Sequence, residues 1–159
     1  MSKVIAFKML TPSKKFTDKI VCPPYDVLSP KKAHEIYKKN PLSFVQVTRP
    51  EVCFDTDEDP YSPQVYEEGL KRLRILKKEH YFVENDEAML VYQISTPKHT
   101  QTGIVCGASC EEYKNSKIKK HELIREEKVN DRYNHSIAIN GHAEPVILVH
   151  KNEEPRIPM

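Results

Sequence analysis

Apolar residues recur along the chain in short runs whose spacing predicts helices separated by strands. Two of the helical runs begin with Ser-Pro, at Ser29-Pro30 and at Ser62-Pro63, a pair in which the serine caps the helix and the proline fits its first turn. We predict helices from residue 30 to about residue 39 and from residue 63 to about residue 79. A third, highly charged helix should end near Asn140-Gly141, where a left-handed C-terminal cap fits.

Short runs rich in β-branched and aromatic residues predict strands between these helices. One hairpin is expected to turn at residues 84–86. The run at 103–109 does not alternate between apolar and polar residues, so we expect both of its faces to be buried. The whole chain, residues 1–159, is therefore predicted to be a single α+β domain in which helices pack on a mixed β-sheet. The predicted strands cover residues 4–7, 44–47, 81–83, 89–92, 103–109 and 145–150.

Composition limits the classes of protein to which this chain can belong. A length of 159 residues is typical of one domain, and a formal net charge of +2 gives no general affinity for nucleic acid. The four cysteines are scattered without a CxxC pair and are typical of reduced thiols in a cytosolic protein. Neither a membrane-spanning apolar run nor a signal peptide is evident. We therefore expect a cytoplasmic protein, either a monomer or a homodimer.

The segment 119–132, KKHELIREEKVNDR, carries the densest charge. If it is helical, five cations and histidines at offsets 0, 4, 7, 11 and 14 form one charged stripe along a single face. A row of such donors can hold a phosphate or a carboxylate. The alternative is a solvated helix whose charges pair with one another, each pair contributing about 0.2–0.5 kcal/mol. The charged stripe consists of His121, Arg125, Lys128, Arg132 and His135.

Other motifs restrict how a phosphate could be held. None of the four glycines forms a GxxxxGK[ST] or GxGxxG loop, so side chains or helix N-termini must bind any phosphate. His121-Glu122 does not begin a zinc-binding HExxH motif, because Arg125 takes the place of the second histidine. Residues 23–26, the PPYD loop, place Tyr25 and Asp26 on a stiff backbone. Such a loop suits ligand positioning, or it is a structural corner in which Asp26 accepts local backbone hydrogen bonds.

The motifs PPYDV, NPLSF, RPE, QTG and KKHE…DR follow one another along nearly the whole chain. In this order they resemble the DUF1015 family, a domain of unknown function, some members of which are described as kinases of free serine. Family members are usually longer, so the resemblance implies that this chain corresponds to their N-terminal part. It also implies a small-molecule phosphotransferase that makes phosphoserine from L-serine, with ATP or pyrophosphate as donor. The alternative is a non-catalytic module that binds a nucleotide, a nucleic acid or a protein through the same basic helix face.

Under this resemblance, catalysis proceeds by positioning and charge neutralisation. Glu122 or Asp26 would accept the proton of the attacking hydroxyl, and His121 would orient the transferred group. Tyr25 and Arg49 would contact the substrate, with Arg49 holding the carboxylate of an amino acid.

The donor side of the reaction needs cations. A magnesium ion bound by Asp131 or Glu122 together with the phosphates is compatible with this mechanism. The donor phosphates themselves would be held by Lys120, Arg125, Lys128 and Arg132.

Overall fold

The computed structural model of the chain describes residues 2–120, 123 and 125–149. Helices and short antiparallel strand pairs pack together, which confirms the predicted α+β class. The strands are arranged differently from the predicted mixed sheet. Within the described residues each strand pairs with one other strand, and the result is three separate antiparallel pairs.

The first two predicted helices are confirmed at both ends. Ser29 Oγ accepts a hydrogen bond from the Lys32 backbone N–H at 3.3 Å. The third predicted helix ends at Asn140, whose φ of 52° is the expected left-handed cap. No helix in the described part of the chain is both long enough and apolar enough to cross a membrane. The helices are α1 (Thr17–Ile20), α2 (Pro30–Lys39), α3 (Val45–Thr48), α4 (Pro63–Lys78), α5 (Cys110–Lys114) and α6 (Glu126–Ile139).

The strands differ from the prediction in pairing and in burial. Residues 82–88 are a single strand, and the hairpin forms further along the chain, between 90–95 and 100–105. The predicted burial of 103–109 on both faces is wrong, since this hairpin is largely exposed. Residues 145–149 form no strand. The strands are β1 (Val4–Ile5), β2 (Phe7–Pro12), β3 (Phe82–Ala88), β4 (Leu90–Ser95), β5 (Thr100–Val105) and β6 (Gly107–Ala108), paired as β1–β6, β2–β3 and β4–β5.

The predicted strand at 44–47 is a helical turn instead. Val45 and Val47 of α3 are fully buried, and the Phe44 N–H donates to Ile20 O at 2.7 Å. The run Phe44-Val45-Gln46-Val47 is short enough to fit either a strand or one turn of helix, and here it forms a turn of helix that packs against α4. The adjacent core cluster consists of Leu28, Ala33, Val45 and Val52.

Helix α4 approaches the core closely at Gly69. A Cβ at this position would lie 2.7 Å from Pro50 Cγ and 3.4 Å from Val47 O. We expect Gly69→Ala to lower the free energy of unfolding by about 1–3 kcal/mol, because overpacking outweighs the higher helix propensity of alanine. Urea denaturation measures this loss. Gly141→Ala is the control, since a Cβ there meets nothing within 4 Å. Equal stability of the two variants would contradict the close approach.

Candidate functional site between the PPYD loop and helix α6

The PPYD loop meets helix α6 through Tyr25 and Arg132. Pro23 and Pro24 keep the loop extended before a short 3-10 turn at Tyr25–Val27. The Cζ atom of Arg132 lies 4.0 Å from the centroid of the Tyr25 ring, which is a cation–π stack. Two motifs that are distant in sequence are therefore in contact. Tyr25 and Arg132 are the residues that join them.

Asp131 fixes the other side of the Arg132 guanidinium. Its Oδ2 accepts hydrogen bonds from Arg132 Nε at 3.1 Å and Nη2 at 2.9 Å, and its Oδ1 accepts one from Tyr66 Oη at 3.1 Å. Burial, together with this carboxylate, raises the pKa of Tyr66 to about 12, so the phenol stays protonated and donates. The Asp131 side chain is 6% exposed, whereas that of Arg132 is 28% exposed. Arg132 is thus held in place and still reaches solvent.

Glu144 is a site residue that the sequence did not single out. Its Oε1 accepts a hydrogen bond from the Tyr25 backbone N–H at 2.9 Å. Burial raises the pKa of Glu144, although the Tyr25 N–H and the Arg132 guanidinium act to lower it. The residue belongs to the irregular segment that follows α6, where neither periodicity nor a motif marks it. Only the return of the chain toward the PPYD loop brings it to the site.

Arg49 supports the PPYD loop from its buried side. Its Nε donates to Glu51 Oε1 at 2.7 Å, and its Nη1 donates to Leu28 O and, at 3.4 Å, to Tyr25 O. The Arg49 and Glu51 side chains are both largely buried. These bonds fix the backbone that carries Tyr25, and they leave little of the guanidinium to hold a substrate carboxylate, the role predicted for it.

His135 is a buried structural residue. It is 2% exposed, and its Nε2 donates to Val47 O at 2.7 Å, which ties α6 to α3. Burial lowers its pKa, so the ring is neutral at pH 7. The predicted charged stripe is therefore interrupted at its C-terminal end. The N-terminal part of the charged stripe lies before the helix, because α6 starts at Glu126 with Arg125 as its N-cap.

The remaining predicted phosphate ligands lie around the N-terminal half of α6. Lys128 Nζ donates to Tyr61 Oη at 2.9 Å and lies 5.4 Å from the centroid of that ring. Arg125 is exposed at the N-cap. Lys120 lies apart, with its Nζ 5.2 Å from the ring centroid of Tyr113 in α5. Lys128 and Arg125 thus share one end of α6, whereas Lys120 packs on a different helix.

The remaining predicted site residues are three acidic residues and one histidine. His121 and Glu122 lie outside the described residues. Asp26 is exposed in the first turn after the PPYD loop's prolines. Asp131 does not fit a magnesium site, because both of its oxygens accept hydrogen bonds from protein donors. The described part of the chain also holds no group of three or more His, Cys, Asp or Glu side chains that could bind a metal ion.

Comparison with other proteins identifies the chain at the level of its family. Residues 4–158 match the model of a family described as Protein of unknown function (DUF1015). Comparison with curated proteins and with solved structures gives no match.

Proposed function

Because the chain belongs to the DUF1015 family, we propose that it transfers a phosphoryl group to a small hydroxyl compound. L-Serine is the proposed acceptor, and ATP or pyrophosphate is the proposed donor. One observation carries the proposal: the Arg132 guanidinium is held by the Tyr25 ring and by Asp131, yet remains partly exposed. The Nε–Nη2 edge of this guanidinium is bonded to Asp131, so the fork that can meet phosphate oxygens is made by Nη1 and the second N–H of Nη2.

The N-terminal end of α6 supplies further positive charge on the donor side. Arg125 caps the helix and Lys128 lies in its first turn, where the helix dipole also favours an anion. The acidic residues of that turn, Glu126 and Glu127, oppose this charge. Glu127 accepts a hydrogen bond from Tyr61 Oη at 2.8 Å. We assign Arg125 and Lys128 to the donor phosphates that are not transferred, and Arg132 to the phosphoryl group that is transferred.

The proposed catalysis rests on positioning and electrostatics. In phosphoryl transfer, charge is spread over the oxygens of the transferred group, and fixed cations stabilise it without reorganising during the reaction. Arg132 meets this requirement because Tyr25 and Asp131 hold two sides of its guanidinium. Arg49 acts at a distance from the ligand, by fixing the carbonyl of Tyr25.

Ligand-dependent melting tests this proposal. A donor present at about 100 times its Kd adds about 2.7 kcal/mol to the stability of the chain, which corresponds to roughly 5–10 °C in melting temperature. We expect this rise with ATP or pyrophosphate. Arg132→Lys keeps a positive charge beside Asp131 but loses the fork, so it should bind the donor roughly tenfold more weakly.

Arg74→Lys is the matched control, because Arg74 is an exposed arginine of α4 away from the site. It should respond to each donor as the wild-type chain does. The proposal fails if no donor raises the melting temperature. It also fails if the Arg132→Lys variant responds to the donors in the same way as the wild-type chain.

A further inference from the structure

We propose that Glu144 is the general base of this reaction, the group that takes the proton from the attacking hydroxyl of the acceptor. The inference rests on the proposed function and assigns the base to a residue outside the PPYD and KKHE…DR motifs. It follows from where the segment after α6 places a carboxylate, directly against Tyr25 and in the same cluster as Arg132.

The Glu144 carboxylate is anchored through one of its two oxygens. Oε1 is held by the Tyr25 N–H at 2.9 Å, and this bond sets the orientation of the carboxylate. Among the residues that the structure describes, no donor bonds to Oε2. Tyr25 therefore organises both halves of the proposed chemistry. Its ring stacks on the cation for the phosphoryl group, and its backbone amide positions the carboxylate for the proton.

The surroundings of Glu144 also suit a proton acceptor. The charged and titratable groups that act on it come from three segments: Tyr25 and Asp26 from the PPYD loop, Asp131 and Arg132 from α6, and Cys22 from the segment before the loop. Burial raises the pKa of Glu144, and a carboxylate with a raised pKa is a stronger base than an ordinary one as long as it remains ionised.

The sequence predicted two other residues, Asp26 and Glu122, as the base. Asp26 is exposed to solvent, where water competes for its lone pairs. Glu122 lies outside the described residues. Glu144, by contrast, is half-buried, and the charge of the Arg132 guanidinium acts on it.

In the proposed step, Glu144 takes the proton of the acceptor hydroxyl as the new phosphoester bond forms. The hydroxyl oxygen of L-serine forms a bond to the terminal phosphorus of the donor, while its proton moves to Glu144 Oε2. The bond between that phosphorus and the bridging oxygen breaks, and ADP or orthophosphate leaves with the electron pair. Phosphoserine is released, and the proton on Glu144 passes to solvent.

The test is the pH dependence of phosphoserine formation by the full chain and by Glu144→Gln. A base must be ionised, so kcat of the wild-type chain should fall at low pH as Glu144 becomes protonated. In Glu144→Gln we expect kcat to fall by about 10²–10⁴-fold, the acidic limb of the pH profile to disappear, and KM for the donor to stay unchanged. Glu144→Asp should recover part of the rate and keep the limb, because it restores a carboxylate.

Glu87→Gln is the control, since Glu87 is an exposed carboxylate on β3; it should match the wild-type chain. A Glu144→Gln variant that keeps the wild-type kcat, or that keeps the acidic limb at reduced kcat, overturns the role of Glu144 and leaves the phosphotransferase standing. A wild-type chain that makes no phosphoserine with either donor overturns both.

Discussion

We expect the Arg132→Ala variant to unfold with a free energy roughly 1.5–3 kcal/mol below that of the wild-type chain. Arg132 donates two hydrogen bonds to Asp131 Oδ2, and the Asp131 side chain is almost fully buried. Removing the guanidinium leaves this carboxylate with the Tyr66 hydroxyl as its donor, and an uncompensated buried charge is costly. Because Arg132 itself reaches solvent, water offsets part of the loss, which stays below that of a fully buried pair.

Urea denaturation of the wild-type chain, Arg132→Ala and the exposed control Arg74→Ala measures this effect. The double variant Asp131→Asn/Arg132→Ala removes the stranded charge, so it should regain part of the lost stability. Equal stabilities of Arg132→Ala and Arg74→Ala would show that Arg132 does not support Asp131. Binding studies of Arg132 should therefore use the lysine variant, which keeps the charge.

His135→Ala should be as costly or more so, with an expected loss of about 2–4 kcal/mol. The ring is buried, donates to Val47 O at 2.7 Å and packs edge-on to Tyr66, with ring centroids 6.5 Å apart. Alanine removes the hydrogen bond, leaves a buried carbonyl without its donor and opens a cavity between α6 and α3. His99→Ala is the control, because His99 is exposed in the β4–β5 turn.

The same side chain predicts how stability depends on pH. The pKa of His135 is lowered in the folded chain, so the unfolded chain binds the proton more readily. The contribution of His135 is therefore complete above its unfolded pKa of about 6.5 and declines as the pH falls below that value. The stability gap between the wild-type chain and His135→Ala should shrink from pH 7.5 to pH 5.5. A gap that is constant over this interval would contradict a neutral, buried ring.

Local signals predicted α2, α4 and the C-terminal end of α6, but they did not predict the short helices α1, α3 and α5. Ser29-Pro30 and Ser62-Pro63 mark helix starts, and Asn140 marks an end. The Ser29 side chain caps its helix as predicted, whereas the Ser62 side chain makes no capping hydrogen bond. The strands were harder to predict, because an apolar run does not specify its own partner. Residues 44–47 became a buried helical turn, and residues 100–105 joined a hairpin that stands largely in solvent.

The candidate site was predictable only in part. The two motifs indicated Tyr25 and Arg132, which are in contact. Burial could not be read from the charge pattern. His135 has the spacing of a stripe cation, yet it lies inside the fold, where its Nε2–H donates a hydrogen bond to Val47 O. Tyr66 and Glu144 carry no motif, and they reach the site only through the packing of α4 on α6 and the path of the chain after α6.

Phosphorus NMR of the full chain with L-serine and either ATP or pyrophosphate is the direct test of phosphoryl transfer. We expect a phosphoserine resonance that grows with time in the presence of at least one donor. L-Alanine, which lacks the hydroxyl, should give no phosphorylated product under the same conditions. No phosphoserine with either donor, in samples whose melting temperature rises when the donor is added, would contradict the phosphotransferase and favour a non-catalytic binding module.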